Sequence, residues 1–172
     1  MRIPVPPLPL PPALGSPAPR GAGARPPAGR AGFLAQSRDP VHAAGAHQSA
    51  AVYGISATRP EQIAQDIRLI APQVDFVAPM IYPSHWGPGE YGVANPNAQP
   101  FDIVAASLRD FLTVTEDTGA KVIPWLQDFS LGVNYGDAQV RAQIDATYRA
   151  GIDSFFLWSP SVEYHGGALD PK

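Results

Sequence analysis

Residues Asp75–Gly92 read DFVAPMIYPSHWGPGEYG. An apolar run, Phe76 to Tyr82, breaks at Pro83 into a loop carrying Ser84, His85, Trp86, Glu90, Tyr91 and three glycines. The run has the length and composition of a buried strand, and it ends where polar and aromatic side chains gather. A strand that opens into such a loop is how many α/β enzymes build a ligand site. The neighbouring stretches repeat and support this unit.

Upstream, Ser49–Ser56 (SAAVYGIS) reads as a strand, followed by PEQIAQDIRLIAP as a helix. Pro60 suits the first helical position, Thr58 is placed to cap, and Ile63, Ile67 and Ile70 form an apolar stripe that Pro72 closes. Downstream, Phe101–Thr118 is an amphipathic helix with Ile103, Val104, Leu108, Phe111 and Leu112 on one face and Gly119 as its stop. Lys121–Phe129 (KVIPWLQDF) is the next strand, Ala138–Ala150 a third helix ended by Gly151, and Ile152–Trp158 a last strand. Near Phe33, Leu34 and Val41 the pattern predicts a leading helix, bent or split by Pro40. Strands and helices that alternate in this way predict an α/β fold of parallel (β/α) units, with the functional loops on one edge. Four strands do not close an eight-stranded barrel, so periodicity alone gives an α/β layer.

The composition of the 172 residues is uneven. Residues 1–38 hold five arginines and no acid, whereas the remainder has seven Lys+Arg against fifteen Asp+Glu. An acidic body argues against nucleic acid as a partner, because phosphates require basic surface. There is no cysteine, which excludes disulfides and thiolate chemistry. No apolar run approaches the ~20 residues that span a bilayer. His85 and His165 have no partner at helical or hairpin ligand spacing, His42 and His47 sit in the N-terminal part, and there is no phosphate loop or Gly-x-Ser-x-Gly elbow, so neither metal nor cofactor is expected.

Residues 1–31 read as a disordered Pro/Ala/Gly/Arg-rich segment, and residues 32–172 as the folded domain. The apolar part of this start, Ile3–Leu14, contains six prolines, which is unlike a helical signal sequence. PPLPLPP contains the PxxP pattern of SH3-type ligands, but the composition is that of an ordinary coil.

PMIYPSHWGPGEYGVANPNAQP, KVIPWLQDF and FFLWSPSVEY, in that order, resemble the C-terminal half of a family of bacterial glycoside-hydrolase-like domains. The family is the DUF4015 type, allied to the α-amylase-like group, and the likeness runs from about Gly32 to Tyr164. The resemblance implies a TIM-like barrel, with these strands as its fifth to eighth, and activity on a polysaccharide. It also implies relatives that are often exported or envelope-associated. The family's acidic motif, similar to Asp-Glu-Ile-Gln-Phe-Asp-Tyr on the fourth strand, has no counterpart in these residues. The chain thus reads as half of an enzyme, or as a non-catalytic carbohydrate- or partner-binding half-barrel with open strand edges for self-association.

Glycoside hydrolysis usually takes two carboxyl groups about 5–10 Å apart. Asp128, at the end of a strand, is the candidate catalytic carboxylate, with a structural role in orienting neighbours as the alternative. Glu90 and Glu163 read as solvated loop acids. Tyr82, His85, Trp86, Trp125, Gln127 and Trp158 are the candidate substrate-binding residues. An aromatic ring at a strand end or in a loop can carry a pyranose, or it can simply pack.

Overall fold

A computed structural model describes residues 29–169. The elements run α1 (Arg30–Ala43), β1 (Ser49–Tyr53), α2 (Pro60–Ile63), α3 (Ile67–Ile70), β2 (Phe76–Ile81), α4 (Pro100–Thr115), β3 (Lys121–Val122), β4 (Trp125–Gln127), α5 (Asp137–Arg149) and β5 (Phe156–Trp158). Short 3₁₀ turns fill the loops between them. The expected alternation is therefore present. The disordered segment, the apolar run Ile3–Leu14 and the PxxP pattern read over residues 1–28 lie outside the described residues.

All strand pairs are parallel, in the order β1-β2-β4-β5, and β3 also lies on β2. Val77 pairs with Val122 and Met80 with Trp125, a constant offset, so β3 and β4 are two pieces of one strand. The same offset sets Pro79 of β2 opposite Pro124 in the gap. A proline donates no ladder hydrogen bond, so two facing prolines interrupt the pairing there. The single strand read over Lys121–Phe129 is thereby divided. Among the described residues the sheet thus has four strand positions, with helices packed against one of its faces.

That face is the core. Val52, Val77, Ile81 and Leu126 from the sheet meet Ile67, Ile70, Val104, Leu108, Phe111, Val140 and Ile144 from the helices. The predicted stripe of α4 is buried except for Leu112, which is 36% exposed. The helix read over 60–72 is instead broken. Ala64 takes a left-handed conformation (φ 51°), and Asp66 restarts the chain by accepting the Arg68 N–H. Thr58 bonds its own turn at the Ile55 carbonyl rather than capping α2. α1, by contrast, continues through Pro40 without splitting. Asp75 ties α1 to the start of β2: its Oδ2 accepts the Gln48 N–H at 2.7 Å and lies 2.8 Å from His42 Nε2.

At the other end of the molecule α5 begins at Gly136, whose N–H is taken by the Gln139 side chain. Gln143, completely buried in α5, reaches the sheet. Its Oε1 accepts the Gln127 N–H at 2.9 Å and its Nε2 donates to the Gln127 carbonyl at 2.7 Å. A side-chain amide thus serves one strand residue as a neighbouring backbone would.

Candidate functional site

The register assembles the site. Tyr53 pairs with Met80, Met80 with Trp125, and Trp125 with Phe156, a row across all four strand positions. Its side chains point away from the helix-covered core, because Val52, Ile81, Leu126 and Leu157 next to them along the strands face it. One step beyond Ile81, Leu126 and Leu157 on that same open face stand Tyr82, Gln127 and Trp158, with Gln127 paired to Trp158. Five of these residues are aromatic. Trp125 stacks on Phe156 (centroids 4.4 Å apart) and meets Trp158 edge-on at 6.2 Å. Trp158 remains 44% exposed and Phe156 42%.

Tyr82 stands beside this row, largely buried, in edge contact with His85 (5.5 Å) and Phe129 (5.6 Å). Burial pushes its phenol up to about 12, so it is a neutral hydroxyl at any ordinary pH. His85 is exposed at the rim. Trp86 is 7% exposed and packs with Val93, Ile103, Ile55 and Tyr91, under the Arg59 guanidinium. It pins the long loop over Gly54, where Trp86 Cζ2 would lie 3.4 Å from an added Cβ. Tyr91 holds the same loop to α4 by donating to Asp110 at 2.7 Å, and burial first, then this bond, raises its phenol strongly. Glu90 is paired with Arg59 at 3.0 Å, while Glu163 is exposed.

Gln127 is completely buried, and its side chain is fully engaged. Oε1 accepts the Ser84 N–H at 3.0 Å and Nε2 donates to the Phe129 carbonyl at 2.8 Å. It therefore fixes the first turn after β2 to the end of β4. Asp128 is 1% exposed. Its Oδ2 accepts the His165 N–H at 3.0 Å, and its Oδ1 lies 2.5 Å from His165 Nδ1. Both oxygens are thus committed to one residue, whose ring is 40% exposed on its side chain. A buried carboxylate held against an imidazole in this way fixes the ring's orientation and tautomer. His165 was not among the expected site residues. It lies 37 residues from Asp128 in sequence, and no local spacing links the two.

These features gather where the strands end, the ligand-bearing edge of parallel α/β sheets. A depression of about 1110 Å³ lies at the opposite edge, between Phe76, Arg109, Lys121, Arg149 and Asp153. It marks the feet of α4 and α5, at the edge where barrels place stability rather than chemistry. Among the described residues no three His, Asp or Glu side chains converge as a metal site.

Residues 26–164 match the DUF4015 family, described as a putative glycosyl hydrolase domain. The chain belongs to this family. The DUF4015 match takes in every strand and the whole aromatic face, and it ends one residue before His165. Among solved structures the chain is similar to the PgaB (BpsB) glycoside hydrolase domain from Bordetella bronchiseptica. The two share 21% identity over 66% of this chain and 31% of that one, with a TM-score of 0.45. No curated protein sequence matches the chain. Among the described residues no helix is long and apolar enough to cross a membrane.

Proposed function

We propose that this DUF4015 domain supplies one wall of a polysaccharide-binding cleft of the glycoside-hydrolase type. The observation that carries the reading is the open aromatic face at the strand ends. Trp158, half-exposed and braced edge-on by Trp125, offers the flat apolar ring on which a pyranose packs. His85 stands at the rim with donor and acceptor capacity for hydroxyl groups. Tyr82, Gln127 and Trp86 position the loop that carries it. Asp128 is the carboxylate in the wall, and it acts through His165, whose ring it orients.

A second reading is favoured by the state of Asp128. Hydrolysis usually needs two carboxyl groups facing the scissile bond, and this one has neither oxygen free. On that reading the domain binds polysaccharide without cutting it, and it associates with another chain through its open strand edges.

The experiment is a pair of assays on a panel of soluble polysaccharides. Tryptophan fluorescence reads binding, and release of reducing ends reads hydrolysis. Trp158→Ala is expected to weaken binding at least tenfold. Release of reducing ends that Asp128→Asn abolishes establishes the hydrolase, whereas binding without release establishes the binding module. Absence of binding across the panel, or binding indifferent to Trp158→Ala, defeats both readings.

A further inference from the structure

Parallel sheets are covered on both faces, because each strand is apolar on both sides and its crossovers carry helices. Among the described residues this sheet is covered on one. The opposite face presents Tyr53, 55% exposed, with Phe156 and Trp158 close to half exposed. β1 and β5 stand at the two ends of the strand order, so among the described residues each has an edge with no strand beside it. At the end of β1 two side chains hold the Tyr53 backbone: Gln65 accepts its N–H at 2.8 Å and Ser56 donates to its carbonyl at 2.6 Å.

We propose that a second copy of this chain covers the face, and that the two copies close into one eight-stranded (β/α) barrel about a two-fold axis along its centre. Three features select this occupant. The first is strand number: four parallel positions from each copy make the eight at which such a barrel closes. The second is edge complementarity. With all strands parallel, a two-fold axis along them sets β5 of each copy beside β1 of the other, and both free edges are satisfied at once. The third is area. Tyr53 and Phe156 have ~150–250 Å² each to bury and are roughly half exposed, so these two contribute about 200 Å² per copy. That is about a quarter of the ~800 Å² per partner of a standard interface, before the strand edges and the row between them are counted.

Closure also sorts the aromatic residues by depth. The row Tyr53, Met80, Trp125 and Phe156 becomes interior packing, as barrel interiors are filled by side chains. The row of Tyr82, Gln127 and Trp158, one step nearer the strand ends, stays at the mouth. The inference deepens the association named in the second reading above and is independent of whether the mouth binds sugar. Mass tests closure and polysaccharide titration tests the mouth, so either can fail alone.

The test uses the full chain. Sedimentation equilibrium is expected to give twice the 18.2 kDa chain mass at micromolar concentration. Phe156→Lys, at a position 42% exposed in the single chain, is expected to return the mass to one copy with an unchanged circular dichroism spectrum. Because the chain has no cysteine, Ser49→Cys at the start of β1 and Ser154→Cys just before β5 can be introduced cleanly. A short bifunctional thiol reagent should join two copies of the double variant and leave each single variant uncoupled. A chain of single mass, a dimer indifferent to Phe156→Lys, single variants that couple as well as the double, or an open-ended ladder of higher masses would each overturn the closure.

Discussion

Gly54 has no room for a side chain. A Cβ there would sit 2.8 Å from the Met80 carbonyl oxygen, a backbone atom of the central strand that cannot withdraw. Gly167 looks worse, at 2.5 Å, but the atom it meets is the carboxylate of Asp137, at the end of a movable side chain on the surface. Gly54→Ala is therefore expected to lower stability by about 1–3 kcal/mol, and Gly167→Ala to change it by no more than about 0.5 kcal/mol. Urea denaturation of the two variants checks the contrast. The residue scale is also where the sequence was least legible. Alternation along WLQDF places Leu126 and Asp128 on the face opposite Trp125 and Gln127. Leu126 enters the helix-covered core as that pattern requires. Asp128 lies past the strand end, where the pleat no longer dictates direction, and its setting is decided by His165 arriving from beyond β5.

At the scale of elements, hydrophobic periodicity gave the order of strands and helices, while special residues set their boundaries. Pro79 and Pro124, each unremarkable in its own run, become a gap only when the register sets them opposite one another. The single helix expected before β2 failed at Ala64, whose left-handed backbone no composition rule signals. The tie between α5 and β4 was equally invisible, because it rests on one buried amide rather than on an apolar stripe. Gln143→Leu keeps the volume and the helix propensity but leaves the N–H and C=O of Gln127 buried without partners. The expected cost is about 2–6 kcal/mol, from two unsatisfied groups at about 1–3 kcal/mol each. Thermal melts followed by near-ultraviolet circular dichroism read it, with far-ultraviolet helicity below the transition unchanged. A loss below ~1 kcal/mol would show that water or a neighbour replaces the amide.

For the whole molecule, proton linkage limits the stable range at both ends of the pH scale. Asp75 is held below its ordinary value of 3.8 by the Gln48 N–H and then by His42, against the cost of burial. A carboxylate depressed in the folded state binds fewer protons there than in the unfolded chain. Its contribution is present above its ordinary value and is lost as pH falls through the folded one. At the alkaline end, burial raises the phenols of Tyr82, Tyr91 and Tyr135 above their ordinary value of 10.0, Tyr82 to about 12. The unfolded chain then loses these protons first. Stability is expected to be full below pH 10 and to fall as pH rises toward 12, as these phenols ionise in the unfolded chain. Denaturation midpoints measured from pH 3 to 12 should decline at both ends, and Tyr82→Phe should flatten the alkaline limb. An alkaline limb unchanged in that variant would remove Tyr82 from the account.

What the sequence determined by itself was the order of (β/α) units, the edge on which the polar and aromatic loops lie, and the family likeness carried by its three motifs. Those are properties of local pattern, since a period of 2 or 3.6 and a proline or glycine stop act within one turn or one strand. What only the tertiary structure decided was which of those residues share a face. Register set Tyr53, Met80, Trp125 and Phe156 in one row across strands up to 103 residues apart, and it joined Asp128 to His165. It also turned the loop that began as DFVAPMIYPSHWGPGEYG inward at Trp86 while leaving His85 outside. Such pairings depend on chain segments meeting in space, and no stretch of sequence carries that information alone.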